Sequence, residues 1–278
     1  MSRPPRRAQN GLALRPAGAE ISEKMKPSIH PTAIVEPGAQ LGDGCVIHAG
    51  AIIRPGAILG ERVAVHPYAV VGGDPQVLRF NPAVRTGVKV GAGTIIREYV
   101  TINRSTEEGG HTLVGSNCLF MACSHVAHDA AVGDNVVVAN AVLLAGHVVV
   151  GSHAVLGGGS AYHQFTRVGE GAIVGGLARI TKDIPPFVMA AERDEVAGLN
   201  LVGLRRREVP REAIAEVKEA FRQVYFTPGN IREVAARLLA KGGFKSAQAR
   251  AFLEFITAGK RGIARARRAS LADGGAEE

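Results

Sequence analysis

The sequence predicts a parallel β-solenoid of six-residue repeats followed by a small helical domain. Three observations carry this prediction. An aliphatic residue recurs at every sixth position over most of the first 180 residues. The composition is rich in glycine (35 residues) and poor in aromatics (5%, with no Trp), which suits many tight corners and small repeated inward side chains. After Pro185-Pro186 the period stops and segments with helix-capping residues follow. At 46% hydrophobic, the chain can bury a substantial core.

The first block of repeats runs Ile29, Val35, Leu41, Ile47, Ile53, Leu59, Val65, Val71. The residue four further on is mostly small, as at Ala33, Ala39, Cys45, Ala51 and Ala57. The pattern breaks at Gln76 and resumes at Val90, Ile96 and Ile102. A second interruption spans Glu107 to Thr112. Twelve further units run from Val114 through Phe120, Val126, Val132, Val138, Leu144, Val150, Leu156, Tyr162, Val168 and Val174 to Ile180. An amphipathic helix has a period of 3.6 and cannot give this spacing. Six is a multiple of the two-residue strand period, so each unit reads as a short strand plus a corner. Stacked parallel units bury one continuous aliphatic column. The two interruptions become loops leaving a rigid scaffold, a common location for ligand sites.

Beyond the solenoid, Pro210 to Phe226 reads as a helix with proline in its first turn. Thr227-Pro228-Gly229 is a turn. Asn230 caps a second helix through Ala240, ended by Gly242-Gly243, and Ser246 caps a third to about Ala258. The expected organisation is a disordered basic extension over 1–28, a solenoid over 29–186, a helical domain over 187–266 and a flexible tail over 267–278. Met25 is a candidate translation start.

Charge is uneven. Residues 1–28 carry +4, residues 29–199 carry −3 and residues 200–278 carry +7, within a net +8. The basic end suits acidic partners or phosphates as well as plain solvation. Cys45, Cys118 and Cys123 have no metal-ligand spacing, and three cysteines fit a reducing compartment without a disulfide framework. No apolar run approaches the roughly 18 residues of a membrane helix. The N-terminal arginines are not followed by the apolar stretch of a secretory signal. These features predict a cytoplasmic location and no stable membrane insertion; no nucleic-acid partner is expected.

Of nine histidines, His128, His147 and His163 are spaced by 19 and 16 residues. If three units make a coil of 18, all three fall near one edge of consecutive coils. Strands about 4.8 Å apart would let these rings line one cleft, with His125 close by. Such a cluster allows general-base catalysis, because imidazole titrates near neutrality. It equally allows zinc binding, since three histidine ligands leave an open catalytic position. Hexapeptide solenoids of the second kind exist as gamma-class carbonic anhydrases.

The stretches His125-Val-Ala-His128-Asp129, Leu144-Ala-Gly-His147 and Val-Leu-Gly-Gly-Gly-Ser-Ala-Tyr-His163-Gln164-Phe165 resemble the UDP-N-acetylglucosamine O-acyltransferase family of hexapeptide acyltransferases. Gly198-Leu-Asn200-Leu-Val-Gly-Leu-Arg205-Arg206-Arg207 and Arg211-Glu212-Ala213-Ile214 resemble the start of its C-terminal helical domain. The resemblance runs from about Ile29 to about Arg261. It implies an all-β fold: a left-handed parallel β-helix with three units per coil and a small C-terminal α-helical domain. It implies transfer of a 3-hydroxyacyl group from acyl carrier protein to the 3-hydroxyl of UDP-N-acetylglucosamine, the first step of lipid A synthesis. It also implies a homotrimer with clefts between subunits and no metal or organic cofactor.

Carried over by residue, His128 matches the general base and Asp129 the acid that orients it. Gly146 matches the glycine whose N–H faces the oxyanion. Gln76, Arg79, His125, His147, His163 and Gln164 match residues of the sugar and acyl-donor cleft. Asn200, Arg206 and Arg207 match the nucleotide end, where guanidinium groups suit a diphosphate. Gly176 matches the position that limits acyl-chain length. The family usually has Asp at position 77 and Lys at position 79; here they are Val77 and Arg79. Val202 also replaces an acid near the nucleotide. A 3-amino sugar acceptor is therefore an alternative. The helical domain argues against the carbonic anhydrase reading, and the His128-Asp129 pair against a non-catalytic scaffold.

Overall fold

The computed structural model describes residues 25–267. The basic extension up to residue 24 and the tail from residue 268 lie outside it. Twenty-three short strands, from Ser28–Ile29 to Arg179–Ile180, each contain one of the predicted aliphatic positions. They stack into three parallel sheets that form the faces of a left-handed parallel β-helix. Face A contains Val46–Ile47 and Leu119–Phe120, face B contains Ile52–Ile53 and His125–Val126, and face C contains Gln40–Leu41 and Ala131–Val132. His125 pairs with Leu143, eighteen residues on, so one coil is three units.

Period six works because two strand residues put one side chain inward and one outward before the corner turns the chain to the next face. The inward residue is fully buried coil after coil, as at Ile53, Ile96, Ile102 and Leu144. Truncating one of these to alanine should cost roughly 2–5 kcal/mol. The exceptions lie in the terminal coil, where no described coil covers them: Ile29 is 47% exposed, and Val35 and Leu41 are half-buried. Order also begins before Ile29. Ser28 lies in the first strand, and the Met25 carbonyl accepts a hydrogen bond from Gly44 N at 2.6 Å.

Both predicted loops leave the solenoid at the edge between faces B and C. The first connects Val70–Gly73 to Gly87–Val90, and the second connects Thr101–Asn103 to His111–Val114. Arg104 binds them together. Its Nε lies 2.8 Å from Asp74 Oδ1, and its Nη atoms donate to the Val84 and Pro82 carbonyls at 2.7 and 2.9 Å.

The solenoid ends by losing register. Ile184 bridges to Val168 only four residues after Ile180, two short of the period. Val188–Ala191 then extends face A, and Glu195–Leu199 folds back on it antiparallel, a hairpin that periodicity did not predict. Four helices follow: α1 (Leu201–Arg206), α2 (Arg211–Phe226), α3 (Ile231–Lys241) and α4 (Ala247–Ala258). The caps of α3 and α4 are as expected. Asn230 Oδ1 accepts from Arg232 N, Ser246 Oγ accepts from Ala249 N, and Gly242 takes the left-handed conformation at φ 64°. Helix α1 was not foreseen. Arg265–Ala266 returns to pair with Glu195–Val196. No helix among the described residues is long and apolar enough to cross a membrane.

Candidate active site

The edge between faces B and C is assembled from corners eighteen residues apart. One corner position reads His128, Gly146, Gln164 down successive coils; the next reads Asp129, His147, Phe165. His163 occupies the column of Ala127 and Ala145. The three histidines singled out by spacing therefore share an edge but stand in three different columns. Asp129, His147 and Phe165 all adopt the left-handed conformation, at φ 59°, 60° and 64°. This turns their side chains into one cluster beside His128.

His128 Nδ1 lies 2.8 Å from Asp129 Oδ2. The second loop holds the carboxylate: the Thr106 hydroxyl donates to Oδ2 at 2.6 Å, Thr106 N approaches both oxygens at 3.2 and 3.3 Å, and the Ser105 hydroxyl donates to Oδ1. Burial pushes the Asp129 carboxyl up, but hydrogen bonds from Ser105, Thr106 and His128 outweigh it and hold the group below the ordinary carboxylate value. A firmly ionised Asp129 favours the His128 tautomer with its proton on Nδ1, leaving Nε2 free to accept one. His147 stands edge-on to His128, with ring centroids 5.3 Å apart, and stacks on Phe165 at 4.5 Å. Its Nε2 is 3.8 Å from Asp129 Oδ2.

Gly146 packs directly under His128. A Cβ there would lie 2.6 Å from His128 Cε1 and 2.7 Å from Nε2, so no other residue fits without displacing the ring. The Gly146 N–H has no hydrogen-bond partner among the described residues. His125 bonds Thr101 Oγ1 through Nδ1 at 2.7 Å. Burial, with a smaller contribution from His128, lowers its affinity for a proton.

His128 opens onto a groove of about 770 Å³ along the outer surface of face B. Gln76, His125, His128, Gly146, His163 and Gln164 line it, together with Thr101 and the apolar Leu143 and Ala161. Asp129 and His147 sit beside it. Arg79, Val77 and the fully exposed Leu78 lie on the first loop, and neither Arg79 nor Val77 lines the groove in a single chain.

The predicted nucleotide-end residues lie elsewhere. Asn200 is buried and caps α1, accepting from Gly203 N at 2.9 Å and donating to Gly171 O at 2.9 Å. Arg207 pairs with Glu170, and its guanidinium lies 5.9 Å from the centre of the Phe187 ring. Arg206 and Val202 are exposed on α1. Gly171 and Glu170 belong to the corner between faces C and A, so this group is on a different edge from His128. Gly176 is at the edge between faces A and B, across face B from His128.

Sequence reasoning missed Ser105 and Thr106, which hold the pair, Thr101, which bonds His125, and Arg104, which joins the loops. No local motif marks them, because each acts across a coil. The three-imidazole zinc set is not assembled within a chain. Among the described residues, the group with metal-binding spacing is His128, Asp129 and His147, whose ligand atoms lie within 4.8 Å of one another; His163 stands apart.

Residues 183–264 match the family described as Udp N-acetylglucosamine O-acyltransferase, domain 2, and residues 38–73 match the bacterial transferase hexapeptide family. An acyl-[acyl-carrier-protein]–UDP-N-acetylglucosamine O-acyltransferase of Anaeromyxobacter sp. (strain Fw109-5) is 45% identical over 258 residues, covering 86% of this chain and all of that protein. Its counterpart from Rhizobium johnstonii is 46% identical over 172 residues, where the match spans 63% of the relative's length. Among solved structures, the UDP-N-acetylglucosamine acyltransferase of Campylobacter jejuni superposes with a TM-score of 0.76 at 36% identity, over 86% of this chain and 100% of that one. The enzyme of Moraxella catarrhalis RH4 gives 0.78 at 32% identity, over 85% and 99%. The hexapeptide solenoid and the helical domain thus agree with the comparisons, and the chain belongs to the UDP-N-acetylglucosamine O-acyltransferase family.

Proposed function

We propose that the chain transfers a 3-hydroxyacyl group from the thioester of acyl carrier protein to the 3-hydroxyl of UDP-N-acetylglucosamine, at the first step of lipid A synthesis. The observation that carries the mechanism is the His128–Asp129 pair, clamped by Thr106 and packed on Gly146. Asp129 keeps the His128 proton on Nδ1, so Nε2 takes the proton from the sugar hydroxyl as its oxygen attacks the thioester carbonyl. The Gly146 N–H faces the oxyanion that forms. Collapse of the tetrahedral intermediate breaks the C–S bond, and His128 returns the proton to the departing thiolate. No step needs a metal or organic cofactor.

The placement of Asn200, Arg206 and Arg207 on another edge supports a homotrimer, in which a neighbouring subunit brings that edge to the His128 groove. Arg206 and Arg207 then meet the diphosphate, and Asn200 fixes α1 beneath them. Arg79 and Gln76 reach the sugar from the first loop. The absence of a membrane-spanning helix among the described residues is compatible with cytoplasmic action on a soluble carrier. Val77 is 43% exposed where the family resemblance implies a carboxylate, and this supports a 3-amino sugar as the alternative acceptor.

The test is a transfer assay with 3-hydroxyacyl carrier protein and two acceptors, UDP-N-acetylglucosamine and its 3-amino analogue. Turnover on the hydroxyl sugar, reduced about 10²–10⁴-fold in His128→Ala with trimer and fold intact, is the expected result. Turnover on the amine alone would change the acceptor, and none on either would end the proposal.

A further inference from the structure

A residue close to the C-terminal end of the described chain reaches two residues that line the groove, His163 and Thr181. The segment after α4 runs back along the last coil and is pinned on both sides of Arg261. Arg232 donates to the Gly259 and Arg261 carbonyls. Asp183 N donates to Gly262 O at 2.8 Å, and Ala264 N to Asp183 O at 2.9 Å. Arg261 is thereby delivered to the groove edge. Its Nη1 donates to Thr181 O at 2.7 Å, and its Nη2 lies 2.8 Å from His163 Nδ1.

A guanidinium has five N–H donors and no acceptor. A hydrogen bond from Arg261 therefore requires a lone pair on His163 Nδ1. The same nitrogen lies 3.2 Å from the Gln164 carbonyl, a contact that is a hydrogen bond only if Nδ1 carries the proton. The two contacts are mutually exclusive. The bond from Arg261 is shorter and charge-assisted, so it governs.

We infer that Arg261 is a positioning residue that fixes the tautomer of His163, placing the ring proton on Nε2 as a permanent donor to an oxygen of the substrate in the groove. Without Arg261, the Gln164 carbonyl draws the proton to Nδ1 and Nε2 becomes an acceptor. A carbonyl or hydroxyl oxygen that the native groove binds then meets a lone pair. The role in binding rests on the proposed use of the groove; the tautomer does not.

The test uses the full chain with ¹⁵N-labelled histidine, free of substrate. Long-range ¹H–¹⁵N spectra report which nitrogen of each ring is protonated, and His163→Asn assigns the signal. The wild type should show Nε2 protonated and Nδ1 bare. Arg261→Met should shift His163 toward the Nδ1–H form, and Arg261→Lys, which still donates, should restore the native form. In the transfer assay, Arg261→Met should raise KM roughly 3- to 10-fold, the value of one hydrogen bond, with little change in kcat. A wild-type spectrum with His163 Nδ1 protonated overturns the assignment outright, even if the methionine variant does not fold. A tautomer unmoved in Arg261→Met also overturns it. If the tautomer follows residue 261 but KM does not, the donor role toward substrate falls. Absence of transfer by the wild type would count against the proposed reaction alone.

Discussion

Thr106 donates its hydroxyl to Asp129 Oδ2 at 2.6 Å, so a loop thrown out of the solenoid grips the acid that orients His128. The contact reaches across 23 residues and joins the loop to the edge between faces B and C. Thr106→Val keeps the shape and removes the donor. It should lower kcat about tenfold, the value of roughly 1.4 kcal/mol for a hydrogen bond to a charged group, while thermal stability moves little. Ser105→Ala should act in the same direction, and the double variant should lose more than the sum of both, since removal of either hydroxyl leaves the other holding the carboxylate. Steady-state kinetics on the three variants test this; kcat values equal to wild type would mean that the loop does not position Asp129.

The fold was legible because its core repeats in register. Every aliphatic residue from Ile47 to Ile180 in the predicted series is buried within its coil, and the spacing alone located both loops. Legibility failed where register failed. Ile184 enters the core two residues early, which hid the hairpin of Val188–Ala191 and Glu195–Leu199. Helix α1 has six residues and contains Gly203, too little for a helical period to show. At this edge, His128, Asp129 and Gly146 stand in the local stretches that resemble the family. Thr106 and Arg261 were not legible, because their contacts span 23 and 98 residues and depend on which corners the coils superpose.

His125 should make stability depend on pH. Burial, then the neighbouring His128, lowers its proton affinity below the ordinary value of 6.5 in the folded chain. The unfolded ring binds a proton more readily, so the stabilisation is complete above pH 6.5 and declines as pH falls below it. Urea midpoints at pH 7.5 and 5.5 should therefore fall with acidity in the wild type, and less steeply in His125→Gln. Parallel slopes would show that the half-buried ring does not contribute.

Acyl carrier proteins are acidic as a class, and residues 200–278 carry +7. Docking on this basic face should weaken as salt shortens the Debye length, which is about 8 Å at physiological ionic strength. The KM for the carrier thioester should rise with salt, whereas that for the nucleotide sugar should rise less if its phosphates are held in a partly buried site. A carrier KM flat from low to high salt would place the docking face elsewhere.

Gly176 offers the sharpest test of whether the groove limits acyl-chain length. It lies across face B from His128 and further along the solenoid, where a chain leaving the thioester and crossing that face would arrive. With no side chain at this point the path stays open, so long 3-hydroxyacyl donors, on the order of twelve to fourteen carbons, should be preferred. Each buried methylene contributes about 0.8 kcal/mol, so four more carbons could gain up to ~3 kcal/mol. The glycine is exposed, and its backbone is not among the left-handed ones. An added Cβ would meet the Gly158 carbonyl oxygen at 3.3 Å, a contact that a small shift relieves. A larger side chain is thus compatible with the coil, unlike at Gly146, where a Cβ would strike His128. Gly176→Met should fill the path and favour ten-carbon over fourteen-carbon thioesters, leaving the chemistry at His128 unchanged. If glycine only eases the corner, the substitution would instead loosen the coil and depress activity on both donors alike. Comparing kcat/KM for the two lengths in wild type and variant separates these outcomes: a crossover in preference supports the ruler, and an equal loss on both donors defeats it.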